Sequence, residues 1–293
     1  MRLAILLLAI AEFQRGDAVI LERPSPGFGG GLPHFTQINV YDPTLSFRSL
    51  IASYPSTAAP WTLAFDPNGD LLVAEPSAIV RYDATGTRVG IFAEFSSTPR
   101  ALAFAYGDLI VAGGGECDLV RLDSDGEQVA CVNVALRDLM LDLDIDADGC
   151  HALVAHLSGV GVVDLCGKDP ELTPIPFALA DVYGGARFLP DGSILATHGL
   201  SSYGAVKIDH IDRSGRLIRR LYDASDVARV TLDPDGQSFW VIDGIRIRRV
   251  SIDSGAVLAG PSMLVHGIAA QAIAVQGEWR AARSRERRRA LPH

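Results

Sequence analysis

The chain has 293 residues, of which 48% are hydrophobic and 21% are charged. This share of apolar residues is enough for a sizeable core and excludes a chain that is disordered throughout. The length is ordinary for one large all-β domain, and the 29 glycines and 16 prolines indicate many turns. The net charge of −9 argues against nucleic acid as a partner of the body of the protein.

The N-terminus begins with one arginine and an apolar run that ends in Ala9–Ala11, a small-residue pattern typical of a signal-peptide cleavage site. We predict a signal peptide within residues 1–18, and therefore a secreted or periplasmic protein; an ordinary hydrophobic strand or helix is the alternative. The run is too short to cross a membrane, which takes about 20 apolar residues. Residues 19–37, which include the glycine-rich stretch Pro26–Pro33, are predicted to be a flexible lead-in.

A turn that ends in glycine recurs along the chain, each time followed by an apolar run. In the clearest copy, the turn Asp66–Gly69 precedes Leu71–Ala74. A tight connection between strands places one residue at positive φ, where glycine is favoured. The glycines of the six copies, the last of which is weak, are spaced by 38, 42, 43, 44 and 41 residues. They are Gly69, Gly107, Gly149, Gly192, Gly236 and Gly277.

A second turn, built on an aspartate and a following glycine, alternates with the first and comes after a strand pattern. Its copies are Asp83–Gly86, Asp123–Gly126, Asp164–Gly167, Asp212–Gly215 and Asp253–Gly255. Each period of about 40 residues therefore contains four short strands, which is typical of a propeller blade. In the first complete unit we predict strands near residues 61–65, 70–75, 78–82 and 88–94.

The chain ends before the sixth unit, which begins at Ile268, is complete. Ile38–Phe47 supplies the missing part, with Leu45 at the position that is glycine in the other copies. We therefore predict an all-β fold, a six-bladed β-propeller over residues 38–279, with four antiparallel strands in each blade. The N-terminus provides the outer strands of the last blade and the C-terminus its inner strands, which removes an exposed sheet edge. Residues 280–293 are predicted to be a basic tail.

The repeat resembles the NHL family, whose units combine Asp-x-x-Gly, an apolar strand ending in Val-Ala-Asp, and an arginine-containing strand with a second Asp-x-x-Gly. The resemblance extends over about residues 38–279 and is shared by two related six-bladed groups, the gluconolactonase and senescence-marker group and the streptogramin-lyase group. One departure concerns the last aspartate of the apolar strand, which only one unit retains. The corresponding residues are Glu75, Gly113, His156, His198 and Asp243.

The four cysteines include no Cys-x-x-Cys pair. Cys150 and Cys166 are equidistant from Ser158 in one predicted hairpin, and Cys117 and Cys131 flank another turn in nearly the same way. They are candidates for two local disulfides, which would fit an oxidising compartment. Buried free thiols are the alternative.

The segment Asp142–Gly149 resembles the acidic half of a calcium-binding loop. Position 12 of such a loop would be Ala155, where a bidentate glutamate is needed, and Asp146 and Gly149 are explained by the repeat. We therefore expect no cofactor, because Ca²⁺ or another divalent cation lacks a complete motif.

Eight charged or polar residues stand out against the repeat. Four occupy predicted innermost strands and either form a buried network of aspartates and arginines or bind a polar ligand: Asp142, Asp144, Arg187 and Arg229. Four others end second strands at equivalent positions and should surround one face of the disc: Glu75, His156, His198 and Asp243. All eight are predicted binding residues for an unknown protein or a small polar ligand.

Resemblance to the lactonase group would imply a divalent metal held near the starts of the innermost strands. Only Asp142, itself a suitable ligand, lies close to one of these positions, so the metal site is not supported. The positions themselves hold Trp61, Arg100, Leu141, Gly184 and Ala228. Resemblance to the lyase group would imply a catalytic histidine near the channel, for which His156 and His198 are the candidates.

We predict an exported binding or scaffold module, monomeric, without a catalytic site, a nucleic-acid partner or a membrane span. The alternative is a metal-dependent lactonase-like hydrolase or a streptogramin-type lyase with its site at the channel mouth. That enzyme would use residues among Glu75, Asp142, His156 and His198. Convergence of three or more of them at metal-ligand distance would favour it.

Overall fold

The computed structural model describes residues 12–22, 35–134, 139–176, 184–199, 206–224, 228–244, 246–263 and 270–278. These residues form 24 strands and one short 3₁₀ helix, Ser56–Ala58. Within these ranges no helix is long and apolar enough to cross a lipid bilayer. The predicted leader residues 1–11, the stretch 23–34 and the predicted tail lie outside the described residues.

The strands in chain order are β1 Ala18–Glu22, β2 Phe35–Tyr41, β3 Phe47–Pro55, β4 Thr62–Phe65, β5 Leu71–Glu75, β6 Ala78–Tyr82, β7 Arg88–Glu94, β8 Pro99–Ala105, β9 Asp108–Gly113, β10 Leu119–Leu122, β11 Gln128–Val132, β12 Met140–Ile145, β13 His151–His156, β14 Gly159–Asp164, β15 Leu172–Pro174, β16 Ala186–Phe188, β17 Ile194–His198, β18 Val206–Ile211, β19 Leu217–Ala224, β20 Ala228–Leu232, β21 Ser238–Asp243, β22 Arg246–Ser251, β23 Val257–Met263 and β24 Ala270–Val275.

The strands make six antiparallel sheets of four strands each, which are the blades. Blades 1 to 5 contain β4–β7, β8–β11, β12–β15, β16–β19 and β20–β23, and the closing blade has the order β24-β1-β2-β3. The innermost strands contact one another in a closed cycle, β4-β8-β12-β16-β20-β24 and back to β4. The predicted all-β, six-bladed propeller is therefore confirmed, and the four strands predicted for blade 1 agree with β4–β7 to within one residue at either end.

Each blade is apolar on both faces because it packs between two neighbours. In β5, Leu71 and Val73 belong to the core shared with the closing blade, whereas Leu72 and Ala74 belong to the core shared with blade 2. Six such clusters fill the six interfaces between blades. Burial on both faces explains why the second strands contain almost continuous apolar runs.

The repeated aspartates close the turns with their side chains. Asp66 Oδ1 accepts hydrogen bonds from the backbone N–H groups of Asn68 and Asp70, at 2.7 and 3.0 Å. Gly69 has φ of 96° and donates its N–H to the Asp66 carbonyl at 3.1 Å. The aspartate thus replaces a backbone partner and the glycine takes the left-handed conformation, which is why both recur.

Leu45 occupies the glycine position of its turn, as predicted, and it too has a positive φ of 69°. Asp42 Oδ1 accepts from the N–H groups of Thr44 and Ser46, so the turn itself is the usual one. The Leu45 side chain is only 4% exposed and packs in the cluster between blade 5 and the closing blade. This burial offsets the strain of a non-glycine residue in the left-handed region.

The closing blade differs from the prediction in the number of strands that each terminus contributes to it. Strand β1 lies between β24 and β2, with Ala18 opposite Val275 on one side and Tyr41 on the other. The C-terminus therefore contributes one strand and the N-terminus three. The prediction of a flexible lead-in is wrong for residues 19–22 and 35–37, because these residues belong to β1 and β2.

The predicted leader boundary at residue 18 also conflicts with this arrangement. Cleavage after Ala18 would remove Phe13, whose ring packs against Phe65 at 5.2 Å, and the buried Asp17. The sequence contains a signal for β1 that the prediction missed: Gly16-Asp17 followed by Ala18–Glu22 matches Gly69-Asp70 followed by Leu71–Glu75.

Both predicted cysteine pairs are disulfide bonds. Cys117 and Cys131 are joined with their Cα atoms 5.5 Å apart, and Cys150 and Cys166 with theirs 5.2 Å apart. The bonds close loops of 14 and 16 residues in blades 2 and 3. Each fastens a strand connection to its own blade, so the blades that carry them are covalently reinforced.

Because β1 is a buried strand of the closing blade, Ile20→Ala should strongly destabilise the fold. Ile20 is fully buried, and loss of its side chain should lower the free energy of unfolding by about 2–5 kcal/mol in urea denaturation. The matched control is Val89→Ala on β7, where the side chain is 63% exposed and the change should stay within about 0.5 kcal/mol. Equal, small effects of the two substitutions would contradict the buried position of β1.

Candidate functional site

One face of the disc carries the ends of the second strands and the starts of the innermost strands; we call it the ring face. Four of its strand ends are the predicted residues Glu75, His156, His198 and Asp243. The other two are Glu22 and Gly113. Sequence reasoning missed Glu22 because its strand was taken for a lead-in.

Two acids of the ring face, Asp243 and Glu75, contact tyrosines of the preceding blade. Tyr222 on β19 donates its hydroxyl to Asp243 Oδ2 at 2.9 Å, and burial with this contact raises the pKa of Tyr222 to about 12. Tyr54 on β3 stands beside Glu75 in the same way; burial, the Tyr82 hydroxyl and Glu75 together raise the pKa of Tyr54. These two acids therefore connect neighbouring blades.

The two histidines are held inside their own blades. His198 is 1% exposed, and its Nε2 lies 2.7 Å from Asp209 Oδ2. Burial raises the pKa of Asp209, but hydrogen bonds from His198 and Arg220 outweigh it and leave that pKa below its usual value. His156 is also buried, and its Nδ1 accepts the backbone N–H of Ser158 at 3.3 Å.

The centre of the ring contains a cluster of ion pairs between different blades. Arg187 on β16 donates to Asp142 Oδ2 on β12 at 2.5 Å and to Glu278 Oε1, just after β24, at 3.3 Å. Glu278 Oε1 also accepts the backbone N–H of Leu232 on β20 at 3.0 Å. Blades 3, 4 and 5 and the closing blade therefore meet at Arg187 and Glu278. Sequence reasoning missed Glu278, although it is the charged residue that follows the last glycine turn.

Asp144 and Arg229 belong to the same centre but have mainly backbone partners. Asp144 Oδ2 accepts the N–H of Phe188 at 2.7 Å. Burial raises the pKa of Asp144 to about 6, against the nearby charge of Arg187. Arg229 donates from one nitrogen to the carbonyls of Leu141, at 3.1 Å, and Gly184. The structure thus brings together the four charged residues predicted on innermost strands.

Arg187 lines the cavities on both sides of the centre, so its side chain divides the channel. The cavity toward the ring face has a volume of about 30 Å³ and is lined by Arg100 and Arg229 as well as by Asp142. The cavity toward the other face measures about 20 Å³ and is lined by Asp144 and Glu278. The channel is therefore basic at its ring-face end and acidic at the other.

A larger cleft surrounds the loop that follows β9 in blade 2, where the ring position is glycine. Its larger cavity, of about 620 Å³, lies between blades 1 and 2, and its smaller one, of about 320 Å³, extends to Leu139 and Met140 of blade 3; both are lined by Gly114, Gly115 and Cys117. Gly113 and Gly114 have positive φ, and a Cβ on Gly114 would lie 2.6 Å from the ring of Phe95. The run of glycines therefore keeps the cleft open, and the disulfide of Cys117 holds its wall in place. We refer to it as the glycine cleft.

The acidic segment Asp142–Gly149 is divided between two places in the structure. Asp142 and Asp144 are directed to the channel, whereas Asp146 Oδ2 lies 2.8 Å from His151 Nδ1 in the turn after β12. In the described part of the chain, the one group of three possible metal ligands is Asp146, Asp148 and His151. It lies on the face opposite the ring face, and Arg213 already stands 3.5 Å from Asp146 Oδ2.

Comparisons with known proteins identify the fold and no more. No family model matches the chain, and no curated protein matches it. A protein of unknown function from Bacteroides caccae is similar, with a TM-score of 0.63 and 12% identity over 89% of this chain and 98% of that one. A chain of a nidogen/laminin complex has a TM-score of 0.67 and 10% identity over 89% and 98%. TolB from Acinetobacter baumannii has a TM-score of 0.64 and 15% identity over 91% and 67%.

Asp144 should make the stability depend on pH in a defined direction. Its pKa is raised from 3.8 to about 6 in the folded protein, so this carboxyl binds a proton more readily in the folded state than in the unfolded state. Its favourable contribution is complete below about pH 4 and is lost as the pH rises through about 6. Asp144→Asn, which keeps an acceptor for Phe188, should remove this contribution.

The test compares the free energies of unfolding of the native protein and Asp144→Asn, by urea denaturation at several pH values. The native protein should lose stability relative to the variant as the pH rises from about 4 to 7. If the difference in the free energy of unfolding between the two proteins stays constant over this pH range, the raised pKa of Asp144 is contradicted.

Proposed function

We propose that the protein is an NHL-like propeller that binds an extended segment of a partner protein in the glycine cleft. The observation that carries the proposal is the cleft itself, a large opening around the loop that follows Gly113, the one ring position without a side chain. Structural neighbours supply further support, because one of them is a chain of a nidogen/laminin complex. We also propose an oxidising location, secreted or periplasmic, on the basis of the two disulfides.

The lining of the glycine cleft suggests the chemistry of the partner. Ile91, Phe92 and Phe95 provide apolar contacts, and Ile91 is 56% exposed. Strand β7, which contributes most of this wall, is the outermost strand of its blade and pairs there with β6. An open strand edge next to apolar side chains is a usual docking site for an extended peptide.

Charge favours a basic partner. Three glutamates line the larger cavity, Glu94, Glu116 and Glu127, and the lining contains no lysine or arginine. The net charge of the chain, −9, has the same sign. Complementary charge speeds association and selects among partners. The proposed partner segment is therefore extended, with alternating apolar and basic side chains.

The enzyme alternative has no comparable support in the described residues. Asp142 pairs with Arg187, His198 with Asp209, and His156 with a backbone N–H. Glu75, Asp142, His156 and His198 do not form a group at metal-ligand distance there. The binding roles predicted for the ring-face and channel residues stay predictions.

The proposal is tested by filling the cleft. Ser96 is exposed and lines the larger cavity, so Ser96→Trp should block it. Ser254, an exposed serine in the turn before β23 on the opposite face, provides the matched control Ser254→Trp. Peptides selected from a random displayed library on the native protein should alternate apolar and basic residues. They should bind Ser254→Trp equally well and Ser96→Trp at least about tenfold more weakly.

Calorimetric dissociation constants for three or four selected peptides provide the measurement. Failure of the library to yield any peptide above background, or equal binding to the two tryptophan variants, would refute the cleft as the binding site.

A further inference from the structure

The ring-face end of the channel combines several cations with little counter-charge. All innermost strands or the residues just before them contribute to the lining of its small cavity, which we call the mouth cavity. Their polar and charged members are Trp61, Thr62, Arg100, Asp142, Arg187, Arg229 and Gln271. Three arginines thus face one carboxylate, and that carboxylate is already paired with Arg187.

Of the three arginines that line the mouth cavity, Arg229 and Arg100 form no ion pair with a described residue. Arg229 donates to the carbonyls of Leu141 and Gly184, which are neutral acceptors. Burial lowers the pKa of Arg229, Asp142 acts against this, and Arg187 adds to it. Arg100 lies over the ring of Trp61, 4.6 Å from its centre. A buried cation that lacks a counter-charge is costly unless an anion joins it.

The amide side chain of Gln271 also lines the mouth cavity. Gln271 Oε1 is buried and has no hydrogen-bond partner among the residues that the structure describes. Since the two ends of an amide are exchanged by a half-turn, Gln271 can equally present N–H donors to the cavity. An anion here would therefore be surrounded by guanidinium and amide donors.

The size of the mouth cavity restricts the anion. Its volume of about 30 Å³ is two to three times what a single water needs, about 10–15 Å³. A planar carboxylate group, with two oxygens for bidentate arginine contacts, matches this size and the donor geometry.

The mouth cavity adjoins the glycine cleft. Arg100 lines the mouth cavity, and it also lines the smaller cavity of the cleft, where Gly113 and Gly114 stand beside it. A chain lying in the cleft with its C-terminus toward the centre would bring its terminal carboxylate to Arg100.

We propose that the mouth cavity is a carboxylate-binding subsite, in which Arg100 and Arg229 are the binding residues. The source of the carboxylate is either the C-terminus of the segment held in the glycine cleft or a small free acid. The first source rests on the proposed function, whereas the second is independent of it.

The test uses one peptide from the cleft selection, prepared with a free C-terminal acid and as its C-terminal amide, and sodium acetate as the small acid. The proteins are the native chain, Arg100→Gln, Arg100→Lys and the matched control Arg213→Gln. Arg213 is also stacked on an aromatic ring, 5.1 Å from the centre of Phe188, but lies on the opposite face. Calorimetry gives the dissociation constants, and the thermal unfolding midpoint of each variant shows that it is folded.

Three results are informative. If the C-terminus is the source, the peptide with a free C-terminal carboxylate should bind the native protein about tenfold more tightly than its C-terminal amide does. Arg100→Gln should abolish that preference, Arg100→Lys should keep part of it, and Arg213→Gln should leave it unchanged. If a small acid is the source, the two peptide forms should bind alike, while acetate binds saturably to the native protein and not to Arg100→Gln.

The subsite is refuted if acetate does not bind saturably and the free-acid peptide binds no more tightly than the amide peptide. It is also refuted if Arg100→Gln fully retains the saturable binding of acetate or the preference for the free-acid peptide. Failure of the cleft selection leaves the acetate experiment intact, so the two proposals can fail separately.

Discussion

The pairing of β1 with β24 holds the two ends of the chain in one sheet, and the arrangement of the other blades depends on it. In the closed ring, Val19 and Leu21 pack toward blade 1, and Ala18 and Ile20 pack toward blade 5. An open ring would leave both of these apolar interfaces half exposed. Hydrogen bonds between Gly16 and Gln276 and between Gln276 and Asp17 continue this pairing beyond the strands. Closure therefore completes both apolar interfaces and removes two sheet edges.

The charged centre depends on the same closure. Glu278 follows the strand that completes the ring, and it provides a carboxylate for Arg187 and an acceptor for the Leu232 N–H. Together with Asp142, it fixes the Arg187 side chain that separates the basic end of the channel from the acidic end. The mouth cavity and the glycine cleft, which share Arg100, are features of this closed ring: one lies at its centre and the other extends along blade 2.

Local repetition made most of the fold predictable. The aspartate and glycine of each turn recur because their side-chain bonds and positive φ are local requirements, and for that reason even Leu45 could be placed correctly. Strand β1 has the local pattern of a second strand, Gly16-Asp17 before an apolar run, but it was missed because the innermost strand that precedes a second strand in the other blades lies here at the other end of the chain. Positions on the ring face followed from the period, but their partners did not. Asp243 contacts Tyr222 of another blade, and Arg187 contacts Glu278, 91 residues away in sequence.

Hydrogen exchange of the native protein tests the closure of the ring most directly. The amides of Val19–Leu21 should exchange as slowly as those of Phe239–Ile242 in blade 5, which are fully buried second-strand residues like them. They should also lose protection at the same denaturant concentration, because one cooperative unit contains both segments. Fast exchange of Val19–Leu21, while Phe239–Ile242 stays protected, would show that the N-terminal strand is not part of the folded ring and would contradict the account.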